Sequence, residues 1–510
     1  MGQADDEVTA VATTPEAGDD GAVANDGDRS PARGRHAAFV RRHALFLILV
    51  ILGVLLRVCA MLGYRWHMWF TDSYEYVYFT LHLRPYGIRP SGYSLFLRAL
   101  LPLHDFGLVA ALQHLMGLAA AVLPYLVAVR HRVRPWIAAT VLTPVLLDAY
   151  EIQLEHLLLS DTLFTFLLVA AVTLTLWRTA PGAPPPWWAT AVAGLCVGVA
   201  GVTRSVGLPL LLVFCVYLAI RWIVAARARR ARTEHRRRRQ RLLGGVVPIL
   251  VIAVAGALPM AAYASWYRSV HGAYGFSGSS GVFLYSRTMA FASCAEMRPP
   301  PDLRPLCDPR PPEKRPSSQF YLWSAGSPLR KPGDQWVFSA ANNERAGRFA
   351  RLAIRRQPAA YLRTIADDTL HAFHWHRTVF PDLETYEQYH FRTNLSPAPR
   401  WVVPALRQYD PDWATVVTEP YAGLMRSYQR WGYLPGTLLG VLVLAGAVGV
   451  VARWRRLGGP ALLPWTMAAA LIVLPAMTAD FSYRYLLPAF PLAGLAAALA
   501  FTSRRTPRGR

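Results

Sequence analysis

Ten stretches of the chain are nearly free of charge and read as helices through a bilayer: about 44–62, 108–129, 136–150, 157–177, 187–203, 205–223, 243–264, 434–452, 460–477 and 485–502. A hydrocarbon core of about 30 Å asks for roughly 20 apolar residues in a helix. The third stretch is short, and the fifth and sixth are joined tightly at Thr203-Arg204. The intervals between blocks are of two kinds. Some are short and rich in arginine; others carry isolated acids, tyrosines and prolines. The pattern predicts an all-α polytopic membrane protein of about ten transmembrane helices. Its large outer loop should carry short interfacial helices.

The arginine-rich intervals set the expected orientation. RHRVR (130–134), WRTAPGAPPPW (177–187), the segment 224–242 with its run RARRARTEHRRRRQR (227–241), RWRR (453–456) and the tail SRRTPRGR all fall on one side when the N-terminus is inside. Positive charge flanking membrane helices marks the cytoplasmic face. Loop 63–107, the tip near 150–156, Arg204, loop 265–433 and TADFSYR (478–484) then lie outside. The expected divisions are an acidic, disordered N-terminus (1–40) and a first membrane part (44–264). An extracytoplasmic loop (265–433), a second membrane part (434–502) and a basic tail (503–510) follow. In the loop, NNERAGRFARLAIRRQPAAYLRTIADDTLHAFHWH (342–376) has helical patterning that Gln357-Pro358 should break into two helices, the second running toward the membrane.

Composition agrees: 53% of the 510 residues are hydrophobic and only 17% charged, where a soluble chain carries about a quarter. The net charge of +23 raises nucleic acid as a partner. Its placement beside apolar blocks points instead to anionic phospholipid headgroups. Residues 1–30 hold eight acids against Arg29 and too little apolar surface to fold. The first block has basic residues just before it and no small-residue cleavage site, so it is expected to stay as an anchor rather than act as a signal peptide. Cys59, Cys196 and Cys215 lie in apolar blocks, whereas Cys294 and Cys307 sit in the outer loop. There an oxidising compartment permits a disulfide, with two free thiols as the other reading. Nothing in the sequence asks for an oligomer, so a monomer is expected.

The chemistry gathers in the outer intervals. FTDSYEYVYFTLHLRPYGIRPSGY (70–93) places Asp72 beside Tyr74, Tyr76 and Tyr78 and leads to Arg89 and Tyr93. An isolated loop acid is ordinarily a solvated surface group; the aromatic surroundings and the proline-stiffened arginines argue for a site. A carboxylate there would serve as a general base toward a hydroxyl. The tip LLDAYEIQLEHLLLSDTLF (146–164) adds Asp148, Glu151, Glu155, His156 and Asp161, acids at a depth where charge is costly. Some of these would only cap helices. Glu155, Asp161 and Asp148 are candidates for a second acid, and a divalent cation among them stays open although no recognised ligand spacing occurs. Arg89, Arg204 and Arg484 would bind a phosphate through the planar guanidinium fork, with His374 as another phosphate partner. The plainer reading of Arg204 and Arg484 is snorkelling to headgroups. Tyr485 would line the same face.

With those residues in hand, the chain resembles the membrane glycosyltransferases of the C fold, the superfamily of protein O-mannosyltransferases and lipid A aminoarabinose transferases. FTDSYEY, RPSGYSLFLRAL, LSDTLFTFLL and RYLLPAFPLAGL carry the resemblance, and the richness in Arg, Ala, Gly and Pro is similar to that of actinobacterial proteins. The resemblance implies transfer of a sugar from a polyprenyl-phosphate donor to a hydroxyl on the outer face. It implies Asp72 as base, Arg89 with residues 90–93 as the basic-proline patch, Glu155 or Asp161 as the second acid, and Arg484-Tyr485 near the lipid phosphate. The acceptor is a glycan, a lipid or a protein. Protein is disfavoured because Asp72 is followed by serine rather than by a second acid. Other readings are a multi-span transporter of an envelope lipid or sugar, a lipid-linked sugar polymerase or ligase, and a non-catalytic scaffold. A transporter would show inverted repeats and broken spans at the midplane, which the sequence does not display.

Overall fold

The computed structural model describes residues 31–177, 185–230, 238–330 and 336–502. The acidic stretch 1–30, loop residues 178–184, the middle of the basic run at 231–237 and the tail 503–510 lie outside the described residues. A short unit ends at Ala44, and a large one runs from Leu45 onward. Helix α1, Pro31–Gly63, opens on a proline, which suits a first helical position. Its first turns therefore fall inside the segment 1–40 expected to be disordered. Ala37 and Ala38 are exposed and among the best helix formers.

Beyond α1 come α2 (Thr71–Leu81), α3 (Gly92–Leu100), α4 (Phe106–Arg130), α5 (Pro135–Leu147), α6 (Ala149–His156), α7 (Ser160–Trp177), α8 (Trp187–Thr203), α9 (Leu210–Arg230) and α10 (Arg238–His271). The loop region holds α11 (Ser280–Thr288), α12 (Cys294–Met297), α13 (Ser318–Trp323), α14 (Ala340–Arg356), α15 (Pro358–His371), α16 (Leu383–Glu387), α17 (Val403–Tyr409) and α18 (Tyr421–Gln429). The chain closes with α19 (Gly436–Val451), α20 (Leu462–Thr478), α21 (Tyr483–Leu486) and α22 (Phe490–Ala500). Strands β1 (Tyr64–Arg65) and β2 (Val416–Val417) pair antiparallel and pin the end of α1 to the far end of the long loop.

Seven helical stretches among the described residues are long and apolar enough to cross a membrane, or eight if α5 and α6 count as one bent span. The ten expected spans are matched in part, and three of them differ from a straight full-length helix. The third is broken by 49° at Asp148, where the carboxylate leaves the α5 axis and caps α6 by accepting from Tyr150 N and Glu151 N at 2.8 and 3.1 Å. The fifth and eighth are α8 and α19, of 17 and 16 residues. At 1.5 Å per residue these reach roughly 25 Å, short of a full hydrocarbon core. α8 compensates by packing closely on α10. A Cβ on Gly194 would stand 2.7 Å from Ile252 O, and one on Gly198 would strike Gly256 O, the small-residue contact that lets helix backbones approach in lipid.

α22 is the centre of the membrane part. Its span is 89% buried, against 17% for Gly245–His271, so the apolar RYLLPAFPLAGL run is surrounded by protein rather than lipid. The long loop has two halves. The first has its own core, built from Val282, Tyr285, Leu306, Tyr321 and Phe349 and closed by the Cys294–Cys307 disulfide. In the second half Tyr389, Phe391, Leu406, Tyr409 and Met425 join the core of the membrane helices. The break expected at Gln357-Pro358 separates α14 from α15.

Three helices are tied together inside the protein by charge. Arg57 of α1 donates from Nε and Nη2 to Glu155 of α6 at 2.7 and 2.6 Å. His114 Nδ1 of α4 lies 2.8 Å from the same carboxylate, and its Nε2 lies 3.0 Å from His156 Nδ1. Arg57 also donates from Nη1 to Gly53 O and Leu146 O at 3.0 and 2.8 Å. Both partners are almost wholly buried, at 3% and 1%. A pair so deep stabilises only while complete, because removal of one charge strands the other, at about 3–5 kcal/mol. Gly117 makes room for it, since a Cβ there would overlap the Glu155 carboxylate.

Glu155→Ala and Gly117→Ala should therefore each lower the thermal midpoint in detergent clearly, the first by several degrees. Exchanging Arg57 and Glu155 together for Met and Leu should recover most of the loss. A Glu155→Ala protein as stable as one altered at the exposed Leu103 would show that the pair holds nothing.

Candidate active site

α2 follows β1 after a short connection and carries Asp72 in its first turn, where the amide dipoles favour a carboxylate. Glu75, three residues on, shares its face. The proline-framed loop after α2 returns Arg89 over both acids, with Nη1 2.5 Å from Asp72 Oδ2 and Nη2 3.3 Å from Glu75 Oε2. From the far end of the chain, Arg484 in α21 donates from Nη1 and Nη2 to the same Asp72 oxygen at 3.1 and 3.2 Å. Arg484 Nε lies 3.4 Å from Asp161 Oδ1, and Asp161, at the start of α7, is ion-paired with Arg204. Arg204 lies between the rings of Tyr485 and Phe164, 5.0 and 5.8 Å from their centroids. Three acids and three arginines from five parts of the chain thus form one continuous network.

Charge and burial pull Asp72 in opposite directions. Burial alone would raise its proton affinity, but the Arg89 and Arg484 guanidiniums hold its carboxyl well below the usual carboxylate range. Glu75 goes the other way. Burial pushes it up, Arg89 and the Tyr86 hydroxyl, which donates to it at 2.7 Å, pull it back, and the neighbouring Asp72 charge adds to the rise. Asp72 is thus an ionised acceptor whose basicity depends on where its two arginines are. An anion that drew them off would raise it.

The structure brings together Asp72, Arg89, Asp161, Arg204, Arg484 and Tyr485. Tyr76 joins them by donating to Ser160 Oγ at 3.1 Å beneath Arg89. Other candidates stand elsewhere. Tyr74 stacks on Trp69 at 5.2 Å, and burial pushes its hydroxyl up to about 12. Tyr93 is fully buried and donates to Gln113 at 2.7 Å. Asp148 is a helix cap that also accepts from Leu434 N at 2.7 Å, and Glu155 belongs to the interior pair with Arg57. His374 is exposed and packs its ring 4.5 Å from His371. Among the described residues no group of three or more His, Cys, Asp or Glu is arranged to hold a metal ion.

Two residues of this region do not stand out in the sequence. Glu75 had a signal, the three-residue spacing from Asp72 on a helix. Arg377 had none, because its neighbours Tyr150, Tyr433 and Tyr483 come from distant parts of the chain.

A second titrating group ties the long loop to this region. Asp480, in the link between α20 and α21, accepts the Ser318 hydroxyl. Burial and the nearby Asp368 raise it to about 7, while Ser318 and Arg287 oppose the rise. Asp368 is itself paired with Arg287 at 2.8 Å.

Residues 102–271, about a third of the chain, match the family model described as PMT, dolichyl-phosphate-mannose-protein mannosyltransferase. No curated protein matches. Among solved structures, ArnT from Cupriavidus metallidurans bound to undecaprenyl phosphate is similar at 14% identity with a TM-score of 0.33, over 89% of this chain and 77% of that one. The same protein in the apo state gives 16% and 0.28, over 93% and 78%. Over residues 102–271 the chain is thus similar to that family of membrane mannosyltransferases.

Asp480 makes the folded state bind a proton that an unfolded chain with an ordinary aspartate releases near pH 4. The stabilisation from that bound proton is complete below about pH 4 and is lost as pH rises through about 7. Asp480→Asn should therefore flatten the fall in thermal midpoint between pH 5 and 8, with its largest relative gain at the alkaline end. An identical pH profile in the variant would show that Asp480 does not titrate in this range.

Proposed function

We propose that the chain is a glycosyltransferase that moves a sugar from a polyprenyl-phosphate donor to an acceptor hydroxyl. The transfer occurs on the extracytoplasmic face of the cell membrane, in the synthesis of cell-envelope glycan, glycolipid or glycoprotein. The observation that carries this reading is the Asp72 carboxylate held between Arg89 and Arg484 at the ends of helices on one face.

The chemistry follows from that arrangement. The acceptor oxygen bonds to the anomeric carbon while the bond from that carbon to the phosphate oxygen breaks. The acceptor proton passes to Asp72, and the electron pair of the broken bond stays on the polyprenyl phosphate. Arg89, Arg204 and Arg484 supply fixed positive charge where the leaving phosphate gains its negative charge, the kind of preorganised stabilisation that contributes most to many enzymes. A phosphate that takes guanidinium donors from Asp72 also raises the proton affinity of that carboxylate. Donor binding and activation of the base are in this way one event. Tyr76 and Tyr485 flank the arginines and give the sugar an amphipathic wall.

Two measurements test the reading. Asp72→Asn keeps the shape but removes the base, so transfer of labelled sugar from polyprenyl phosphate into envelope acceptors should fall by about 10²-fold or more. Binding of the donor should hold or tighten, since Arg484 is freed. Near wild-type turnover in a folded Asp72→Asn protein would end the base assignment. Orientation is tested separately by membrane-impermeant thiol labelling of intact cells: engineered cysteines in 265–433 should react and those in 224–242 should not. The reverse pattern would place the site on the cytoplasmic face.

A further inference from the structure

The acid–arginine network at Asp72 is balanced one for one. Three guanidiniums, from Arg89, Arg204 and Arg484, face three carboxylates, from Asp72, Glu75 and Asp161. The transfer reaction upsets that balance in a definite direction. A polyprenyl-phosphate sugar is a phosphodiester with one negative charge. The polyprenyl monophosphate that leaves has a second ionisation near pH 6, as in a phosphorylated side chain, and so approaches two charges at neutral pH. One unit of negative charge moves from Asp72 to the phosphate, and a further cation is needed where the phosphate sits.

A narrow crevice, with room for about one water, adjoins the network, and Arg484 is part of its wall together with Arg377, Tyr150, Gln153, Tyr389 and Tyr483. Arg377 comes from the long loop just after α15. Its guanidinium is 3.7 Å from the centroid of the Tyr150 ring and 5.2 and 5.6 Å from those of Tyr483 and Tyr433. Aromatic faces hold a cation through their quadrupoles and leave its N–H donors unbonded. The side chain is nine-tenths buried, and Nη1 is buried without a hydrogen-bond partner. The nearest carboxylate, Asp148, is 3.9 Å from Nη2, outside hydrogen-bond reach. Its oxygens already accept from the backbone amides of Tyr150, Glu151 and Leu434. A buried arginine with an unbonded donor on the wall of a crevice is costly unless an acceptor completes it.

We propose that Arg377 is a second guanidinium ligand of the lipid phosphate, reached through this crevice and opposite Arg484, with the crevice opening as the phosphate enters. The inference rests on the glycosyltransferase reading and adds to it a binding residue and a direction. Arg377 recognises the monoester dianion of the leaving polyprenyl phosphate more than the diester of the donor. The tyrosine cage fixes the guanidinium before the phosphate arrives, so little side-chain freedom is lost on binding. In the resting protein Arg377 stands outside the network at Asp72, with Asp148 3.9 Å away as its carboxylate neighbour, and is placed where the product charge appears.

The test measures binding of three probes to the purified full chain in detergent: a polyprenyl monophosphate, the polyprenol of the same length, and inorganic phosphate. Wild type should prefer the monophosphate over the alcohol. Arg377→Gln should cut that preference by about tenfold or more while leaving alcohol binding in place, a difference that mere loosening of the loop would not produce. Arg377→Lys keeps a cation among the rings but not the fork, and should retain only part of the preference. Should the Gln variant fail to fold by its thermal melt, the Lys variant carries the same readout. A folded variant at Arg377 with the full wild-type preference overturns the inference while the glycosyltransferase reading stands. A wild-type protein that binds monophosphate no better than alcohol overturns both. Competition by inorganic phosphate as effective as by the lipid would assign the crevice to a free anion and overturn the lipid assignment.

Discussion

A charged side chain withdrawn from water must find an opposite charge or a full set of hydrogen bonds, and this protein withdraws several. Asp72 is the centre of that constraint. It is held by Arg89 from the next loop and by Arg484 from a helix 412 residues further on, so the segment after α1 and the start of the last span are parts of one site. Asp161 extends the network to α7 and, through Arg204, to the end of α8. None of these arginines is free to snorkel to headgroups as a lone charge near a helix end would. Burial at the helix ends turns five separate pieces of chain into one surface.

The same constraint acts deeper in the protein with a different outcome. Arg57 and Glu155 are paired at 2.6 Å with hardly any exposure, and His114 and His156 complete the set. Both networks join acids to arginines, and the one at Asp72 borders a crevice lined by one of its own arginines. The interior network is closed: its donors and acceptors are matched, and Gly117 leaves no spare volume around the carboxylate. Closure suits a staple between helices. A network at helix ends that adjoins a crevice and can exchange partners suits a site that meets an anion.

That contrast gives the proposed chemistry its economy. A carboxylate clamped by two arginines is a weak base, and a phosphate competing for those arginines makes it a stronger one. The tyrosine-caged Arg377 then answers for the charge that the leaving phosphate acquires. Around these groups the membrane helices contribute rigidity: α22 is enclosed by its neighbours, and α21, which carries Arg484, leads directly into it.

The membrane character of the chain was legible in the sequence alone, because crossing hydrocarbon depends on composition and length rather than on partners. Blocks such as 108–129 and 460–477 recur as helices at nearly those limits. Asp72, Arg89 and Arg484 were also legible as types, since acids and arginines at the ends of apolar helices are conspicuous. Their mutual pairing was not, and neither was the diversion of Asp148 into a helix cap and of Glu155 into the pair with Arg57. A carboxylate on a helix has no fixed partner until the helices pack. Whether it meets an arginine, a backbone amide or an open cavity depends on helix rotation and depth, which hydropathy does not encode. Arg377 shows this most plainly. In the sequence it is one arginine after HWH; only the packing of residues 150, 433 and 483 around it makes it a caged cation beside a crevice. Local composition determined which segments enter the membrane, and the tertiary contacts decided which charges stand together, because pairing energies arise between groups that the chain brings close only when it folds.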